Sequence, residues 1–324
     1  EQMKKTLAAV TAIFLCSSIF AQEKVWLWPK KTGPGSEKLK IEQTVEERGG
    51  GNTHDRIISG VTQPYLEVYK PSKESQNKKT GILIIPGGSY QRVVYDKEGV
   101  HYVKAYNDAG YTCFVLVYRT PNDPHKDSST VSLADAQRAM RVIRSRAQEF
   151  GINPDKLGVM GSSAGGHVAG SLAERYNDEV YKLQDKTDKL ADGSWTNAKP
   201  AFQMLMYPVI TMQDGLTHSG SQKNLLGESA TQAQKDAASC EKNVSKDNPI
   251  AWLCCAINDK SVNPETNIIP YWTALRNSGV RTELHVFPAS GHGFGIMGAS
   301  GTAKKWQAIS IEWLDTYVST PNVK

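Results

Sequence analysis

Gly161-Ser162-Ser163-Ala164-Gly165-Gly166 follows an apolar run, residues 157–160, and precedes a stretch with helical spacing, residues 166–176. An apolar strand, G-x-S-x-G and a helix, in that order, make a nucleophile elbow. The turn must lift the Ser163 Oγ clear of a sheet, in a backbone conformation that ordinary residues resist. A side chain two positions either side of the serine would collide with its neighbours, so Gly161 and Gly165 fill both places. The start of the helix leaves N–H groups without intrahelical partners, and the Ala164 N–H is expected to face an oxyanion. A glycine-rich turn without catalysis uses the same letters, so the decision rests on the surrounding chain.

Working outward, short β-rich runs alternate with helical patterns from residue 81 onward. Residues 81–86 read as a buried strand, 98–109 as a helix and 111–118 as a second strand. An amphipathic helix over 133–150 carries Ala136, Met140, Ile143 and Ala147 on one face. Residues 157–161 form the strand before the elbow, and 201–207, 251–257 and 283–287 supply three more; further helices fall at 265–278 and 302–317. This alternation predicts an α/β fold with a mainly parallel, doubly wound sheet. Residues 22–64, with Trp26, Trp28, Pro34 and a glycine run at 49–51, predict an extended segment wrapped on a domain spanning 65–324. A strand is expected near 65–69. Residues 177–200 join a helix to a strand and should lie away from the site. Residues 209–248 follow a strand, so they should rise at the C-terminal strand ends as a small cap walling the substrate pocket.

A serine needs a base, and the base an orienting carboxylate, in the chain order serine, acid, histidine. Seven histidines compete. His54, His101 and His125 precede the serine, His167 lies on the elbow helix and His285 falls within a strand. His218 belongs to the cap. His292 sits in the loop Ser290-Gly-His-Gly-Phe294 directly after the final strand, where the base belongs. Asp259 follows the strand ending at Ile257 and is the expected acid, with Asp214 its rival; turn capping is the ordinary role of either. The second oxyanion donor is expected from Pro86-Gly87-Gly88-Ser89-Tyr90, at Gly88 or Ser89, because glycines let backbone N–H groups approach a carbonyl oxygen.

The 324 residues are 39% hydrophobic and carry a net charge of +5, with basic and acidic positions interspersed. No basic cluster is interleaved with aromatics, which argues against a nucleic-acid partner. Lys4 and Lys5 precede an apolar run over 7–20, with Ala21 as a small residue before cleavage. This predicts a signal peptide over 1–21, with Met3 as the start, and a periplasmic or secreted protein. Fourteen residues are too few to span a bilayer, so no stable membrane insertion is expected. Cys113, Cys254 and Cys255 lie in apolar runs and read as buried thiols. Cys240 lies in a polar stretch where a disulfide is open, and no zinc-ligand spacing is present.

Taken together, several of these segments resemble bacterial α/β-hydrolase acetylxylan esterases and their feruloyl-esterase-like relatives. They are Pro86-Gly-Gly-Ser-Tyr90, Glu98-Gly99, Tyr118-Arg119, Asp135-Ala-Gln-Arg-Ala139, Gly158 through His167, Leu225-Leu-Gly227, Asp259-x-x-Val262 and Gly291-His-Gly-Phe294. Leu27-Trp-Pro29 and Pro34-Gly35 resemble the family's N-terminal segment. The resemblance covers nearly all of 25–317 and implies the α/β-hydrolase fold, no cofactor, and Ser163, Asp259 and His292 as the triad. Asn263-Pro264 departs from it, since the family commonly has proline directly after the valine. Thr266-Asn-Ile-Ile269 departs as well. The implied activity is that of an exported serine carboxylesterase acting on an esterified glycan or other small ester. Feruloyl or other short-acyl esters are the alternative. A prolyl-oligopeptidase-like peptidase shares G-x-S-x-G-G but would normally add a propeller, and a lipase would want a more apolar cap.

Overall fold

The computed structural model describes residues 23–71 and 77–320; the expected signal segment lies outside the described residues. The first elements are β1 (Glu23–Trp26), β2 (Thr44–Glu47), β3 (Arg56–Ser59) and β4 (Tyr65–Tyr69). Then come β5 (Gly81–Ile85), α1 (His101–Asp108), β6 (Thr112–Val117), α2 (Ser128–Ser145), α3 (Ala147–Phe150), β7 (Leu157–Ser162) and α4 (Ser163–Glu174). They are followed by β8 (Phe202–Met206), α5 (Ser219–Leu226), α6 (Gln232–Ala238), α7 (Cys240–Asn243), β9 (Ile250–Ala256), α8 (Ile268–Asn277), β10 (Thr282–Phe287) and α9 (Trp306–Leu314).

Eight strands form one sheet in the order β1-β4-β6-β5-β7-β8-β9-β10. From β6 to β10 every pairing is parallel, whereas β1 and β4 run antiparallel at one edge. The central strands β5, β6, β7 and β8 are buried along their whole length, as expected of strands covered by helices on both faces. Their parallel direction brings every loop that follows a strand to one edge of the sheet. Ser163, Asp259, His292 and the 86–90 loop all come after strands, so topology alone gathers them there.

The segment before β4 is more ordered than an extended wrap. β1 pairs with β4, while β2 and β3 make a separate antiparallel pair. Trp28 is buried and donates its Nε1–H to Asp135 Oδ1 at 2.9 Å. Asp135 on α2 also receives Arg119 through Nε and Nη2, the latter at 2.8 Å, and the pair is almost wholly buried. Arg119 reaches on to the Pro34 carbonyl and Ser36 Oγ. One turn along α2, Arg138 donates to the Leu27 carbonyl and pairs with Asp185 and Asp188 in the loop after α4. The polar letters of the Asp135–Ala139 stretch are therefore the clasp that fastens the tryptophan segment to the domain.

Two boundaries differ from expectation for a local reason. The helix expected at 133–150 begins at Ser128 and is interrupted at Arg146, whose φ of −114° is not helical. The elbow helix begins at Ser163, not at Gly166, because β7 passes into α4 with no loop between them. Cys113, Cys240, Cys254 and Cys255 are all buried free thiols. No described helix is long and apolar enough to cross a membrane.

Candidate active site

Ser163 holds φ at +54°, a left-handed conformation that a side chain resists and that turns the chain from strand to helix in one residue. The neighbouring glycines leave no alternative. A Cβ on Gly161 would lie 2.3 Å from the Gly165 carbonyl oxygen, and one on Gly165 would lie 2.2 Å from that of Ile85. These are backbone atoms of the sheet and helix, which cannot move aside cheaply.

The serine hydroxyl lies 2.9 Å from His292 Nε2, and His292 Nδ1 lies 2.6 Å from Asp259 Oδ2. The other Asp259 oxygen accepts the N–H groups of Ser261 and Val262, both at 2.9 Å. The carboxylate side chain is fully buried, so its acceptor capacity is spent on fixed partners. A buried carboxylate against Nδ1 places the proton there and leaves Nε2 as an acceptor facing the hydroxyl. The histidine loop is held from the acid loop, since Gly291 N–H donates to Asn258 Oδ1 at 3.0 Å. Gly291, Gly293 and Gly295 all have positive φ, which lets this loop reverse sharply around the ring.

The loop after β5 meets the same point from the other side. A Cβ on Gly87 would come within 2.8 Å of Ser163 Cβ, so only glycine lets the loop approach so closely. Gly88, Ser89 and Tyr90 have φ of +133°, +57° and +60° in succession. Gly87 N–H is taken by Glu98 Oε2 at 2.9 Å. The N–H groups of Gly88, Ser89 and Ala164 have no hydrogen-bond partner among the described residues. They are the three donors that the motif reading selected.

Beneath the serine and histidine lies a buried polar layer that the sequence reading did not assign. Tyr102 OH bridges Ser162 Oγ at 3.2 Å and Tyr207 OH at 3.0 Å. The Tyr207 ring packs edge-on to His292, with centroids 5.2 Å apart. Glu98 is buried beside them, and burial pushes its carboxyl upward; His292 nearby and the Gly87 N–H pull the other way. The Glu98-Gly99 pair stood among the family-like segments but carried no assigned role.

Four of the other histidines have partners away from the serine, and His125 Nδ1 lies 2.9 Å from Ser36 Oγ. His167 is buried, with Nε2 on the Ala238 carbonyl at 2.7 Å and Nδ1 on Tyr90 OH at 2.6 Å. Burial lowers its pKa to about 4. His218 caps the N-terminus of α5, accepting Ser221 N–H at 3.1 Å. Burial lowers its pKa, as does His292. His285 pairs with Glu283 and His54 with Glu47. Asp214, the rival acid, is exposed and bound to Lys235 and Gln222 within residues 209–248.

The BD-FAE family profile matches residues 66–269, well over half of the chain. The chain belongs to the BD-FAE family. It is 32% identical over 218 residues to an acetylxylan esterase of Xylanibacter ruminicola, a match over 66% of this chain and 41% of that protein. It is 34% identical over 219 residues to endo-1,4-beta-xylanase B of Butyrivibrio fibrisolvens, covering 68% of this chain and 33% of that protein. The chain thus spans less than half the length of either curated relative. In structure it resembles the acetyl ester-xyloside bifunctional hydrolase of Caldicellulosiruptor lactoaceticus, with a TM-score of 0.71 and 27% identity over 91% of this chain and 96% of that one. The fold is the α/β-hydrolase fold, and the likeness to acetylxylan esterases read from the motifs extends to named relatives.

Proposed function

We propose that this BD-FAE chain is a serine carboxylesterase that removes acetyl groups from xylan-type polysaccharide or oligosaccharide. The reading rests on the continuous hydrogen-bonded chain from Ser163 Oγ through His292 to Asp259, at 2.9 and 2.6 Å. Relatives named for acetylxylan and acetyl ester-xyloside hydrolysis support the substrate class.

In this reading His292 Nε2 takes the Ser163 proton as Oγ attacks the ester carbonyl carbon. Asp259 keeps the imidazole in the required tautomer and stabilises it once charged. Negative charge moves onto the carbonyl oxygen, where the Ala164 N–H and the Gly88 and Ser89 amides receive it. Each such donor is worth on the order of 3 kcal/mol of barrier. The intermediate collapses, the C–O bond to the sugar breaks, and His292 gives the proton to the departing sugar oxygen, which leaves as a hydroxyl. A water molecule, deprotonated by His292, then attacks the acetyl-serine and releases acetate and the free Ser163 hydroxyl.

We also propose export, on the basis of the Lys4-Lys5 pair and the apolar run over residues 7–20. N-terminal sequencing of the protein from its native cell fraction tests this, with a mature start at Gln22 expected.

The decisive experiment compares purified protein with Ser163→Ala on p-nitrophenyl acetate, with a fluorophosphonate probe alongside. The unmodified protein should hydrolyse the ester and label stoichiometrically; the variant should do neither. Wild-type turnover by Ser163→Ala overturns the mechanism. Mass spectrometry of acids released from acetylated xylan and from feruloylated arabinoxylan identifies the acyl group. Acetate is the expected product, and ferulate alone would move the reading to the feruloyl alternative.

A further inference from the structure

The carbonyl groups of the 86–90 loop are held one by one. Pro86 O accepts Tyr118 OH at 2.7 Å, Gly87 O accepts Val94 N–H at 2.9 Å, and Gly88 O accepts Gln91 N–H at 3.0 Å. Tyr90 O accepts Asn122 N–H at 3.3 Å. These donors all lie within residues 91–122, outside the 209–248 segment. Ser89 O is the exception: its donor is Asn224 Nδ2 on α5, at 2.8 Å. A carbonyl can only accept, so the Asn224 amide must present its nitrogen here.

We propose that Asn224 is a positioning residue for the oxyanion donors, by which the cap holds the Ser89 backbone in its working conformation. The inference rests on the esterase reading above and extends it to a residue outside the triad and the oxyanion loop. Three consecutive positive φ values make residues 88–90 a strained stretch, which persists only where its surroundings fix it. A cavity of about 270 Å³ borders the loop's last residue, lined by Tyr90, His167, Leu225 and Leu226 among others. Directional bonds to the backbone of residues 88–90 add to what packing supplies. A second hydrogen-bonded route runs through the Tyr90 side chain, by way of His167 to the Ala238 carbonyl at the end of α6.

Helix α5 is well placed for this. Its eight residues span roughly 12 Å at the usual rise per residue. Its N-cap, His218, lies within electrostatic range of His292 and Asp259, and Asn224, near its other end, donates to Ser89 O. One helix thus links the neighbourhood of the base to the Ser89 carbonyl.

Asn224→Ala and Asn224→Asp, made in the full chain, separate positioning from packing by the order of their effects. At pH 8 the Asp side chain keeps the volume of Asn but cannot donate, and its charge repels the Ser89 carbonyl. A positioning role predicts that kcat on p-nitrophenyl acetate falls about tenfold in Asn224→Ala and further in Asn224→Asp. KM should stay within about twofold, and labelling by the fluorophosphonate probe should slow in the same order. A role in filling space predicts the reverse order, and a loss confined to Tm with kcat unchanged marks a structural strut; either result overturns the proposal. Failure of the unmodified protein to hydrolyse or label would instead overturn the esterase reading on which this one stands.

Discussion

At the scale of single residues, the site depends on positions where only one side chain is sterically possible. Gly165→Ala would force a Cβ to 2.2 Å from one backbone oxygen and 2.5 Å from another. It is expected to cost about 2 kcal/mol or more in urea unfolding and to abolish probe labelling, since relief of the clash moves Ser163 itself. Gly50, whose added Cβ would meet nothing within 4 Å, is the control. Gly50→Ala should stay within about 0.5 kcal/mol of the parent. Asp259→Asn preserves shape but undoes the tautomer preference of His292. It is expected to lower kcat by a factor on the order of 10⁴ while stability changes little; a loss below tenfold would remove Asp259 from its assigned role. The residues of this chain were legible because each follows a strand and strand order fixes the sheet edge. Tyr207, Glu98 and Asn224 were not. Their significance lies in what they touch across 88, 11 and 135 positions of sequence respectively, which no local pattern carries.

At the scale of elements, α2 is the member that joins distant parts of the chain. Its inward face packs on the sheet as its apolar spacing implies, yet Asp135, Arg138 and Arg141 on it are also buried. Asp135 alone answers to Arg119 after β6 and to Trp28 after β1. Removing it strands a guanidinium in the interior, so Asp135→Ala is expected to cost on the order of 3–5 kcal/mol in chemical unfolding. Trp28→Phe keeps most of the packing and loses the indole N–H bond to the carboxylate, for which about 1–2 kcal/mol is expected. Equal effects from the two substitutions would mean that the segment is held by its apolar contacts and not by this clasp. The sequence located α2 by its 3.6-residue period but started it five residues late, because Ser128 to Ser132 lack that period. The order within residues 22–64 was also hidden. The short strand β1 acquires its meaning only by pairing with β4 some forty residues on.

At the scale of the whole molecule, His167 joins three parts: the elbow helix, the 86–90 loop through Tyr90, and the 209–248 segment through Ala238. The Ala238 carbonyl requires a proton on Nε2, so the neutral ring accepts from Tyr90 OH at Nδ1. A second proton would place a charge on a buried ring and require the Tyr90 hydroxyl to turn, and burial accordingly lowers the pKa from 6.5 to about 4. The unfolded chain binds this proton first as pH falls, so folding stability drops between roughly pH 6.5 and 4 and levels off below. The shift corresponds to on the order of 3 kcal/mol. His125, also lowered to about 4 by burial, adds a decline of the same sign. Glu98 works in the opposite sense: burial favours its neutral form, so its contribution is present at low pH and lost as pH rises through its raised pKa. These effects overlap in the wild-type curve alone, but a variant isolates one of them. His167→Gln retains a donor for Ala238 and has nothing to titrate. At pH 7 it should be less stable than the parent, since a fitted ring is lost. As pH is lowered to 4.5 the parent should lose stability faster, and the gap between the two should narrow by about 2 kcal/mol. A gap constant across that range in urea unfolding would show that the buried imidazole does not couple proton binding to the joint between helix, loop and cap.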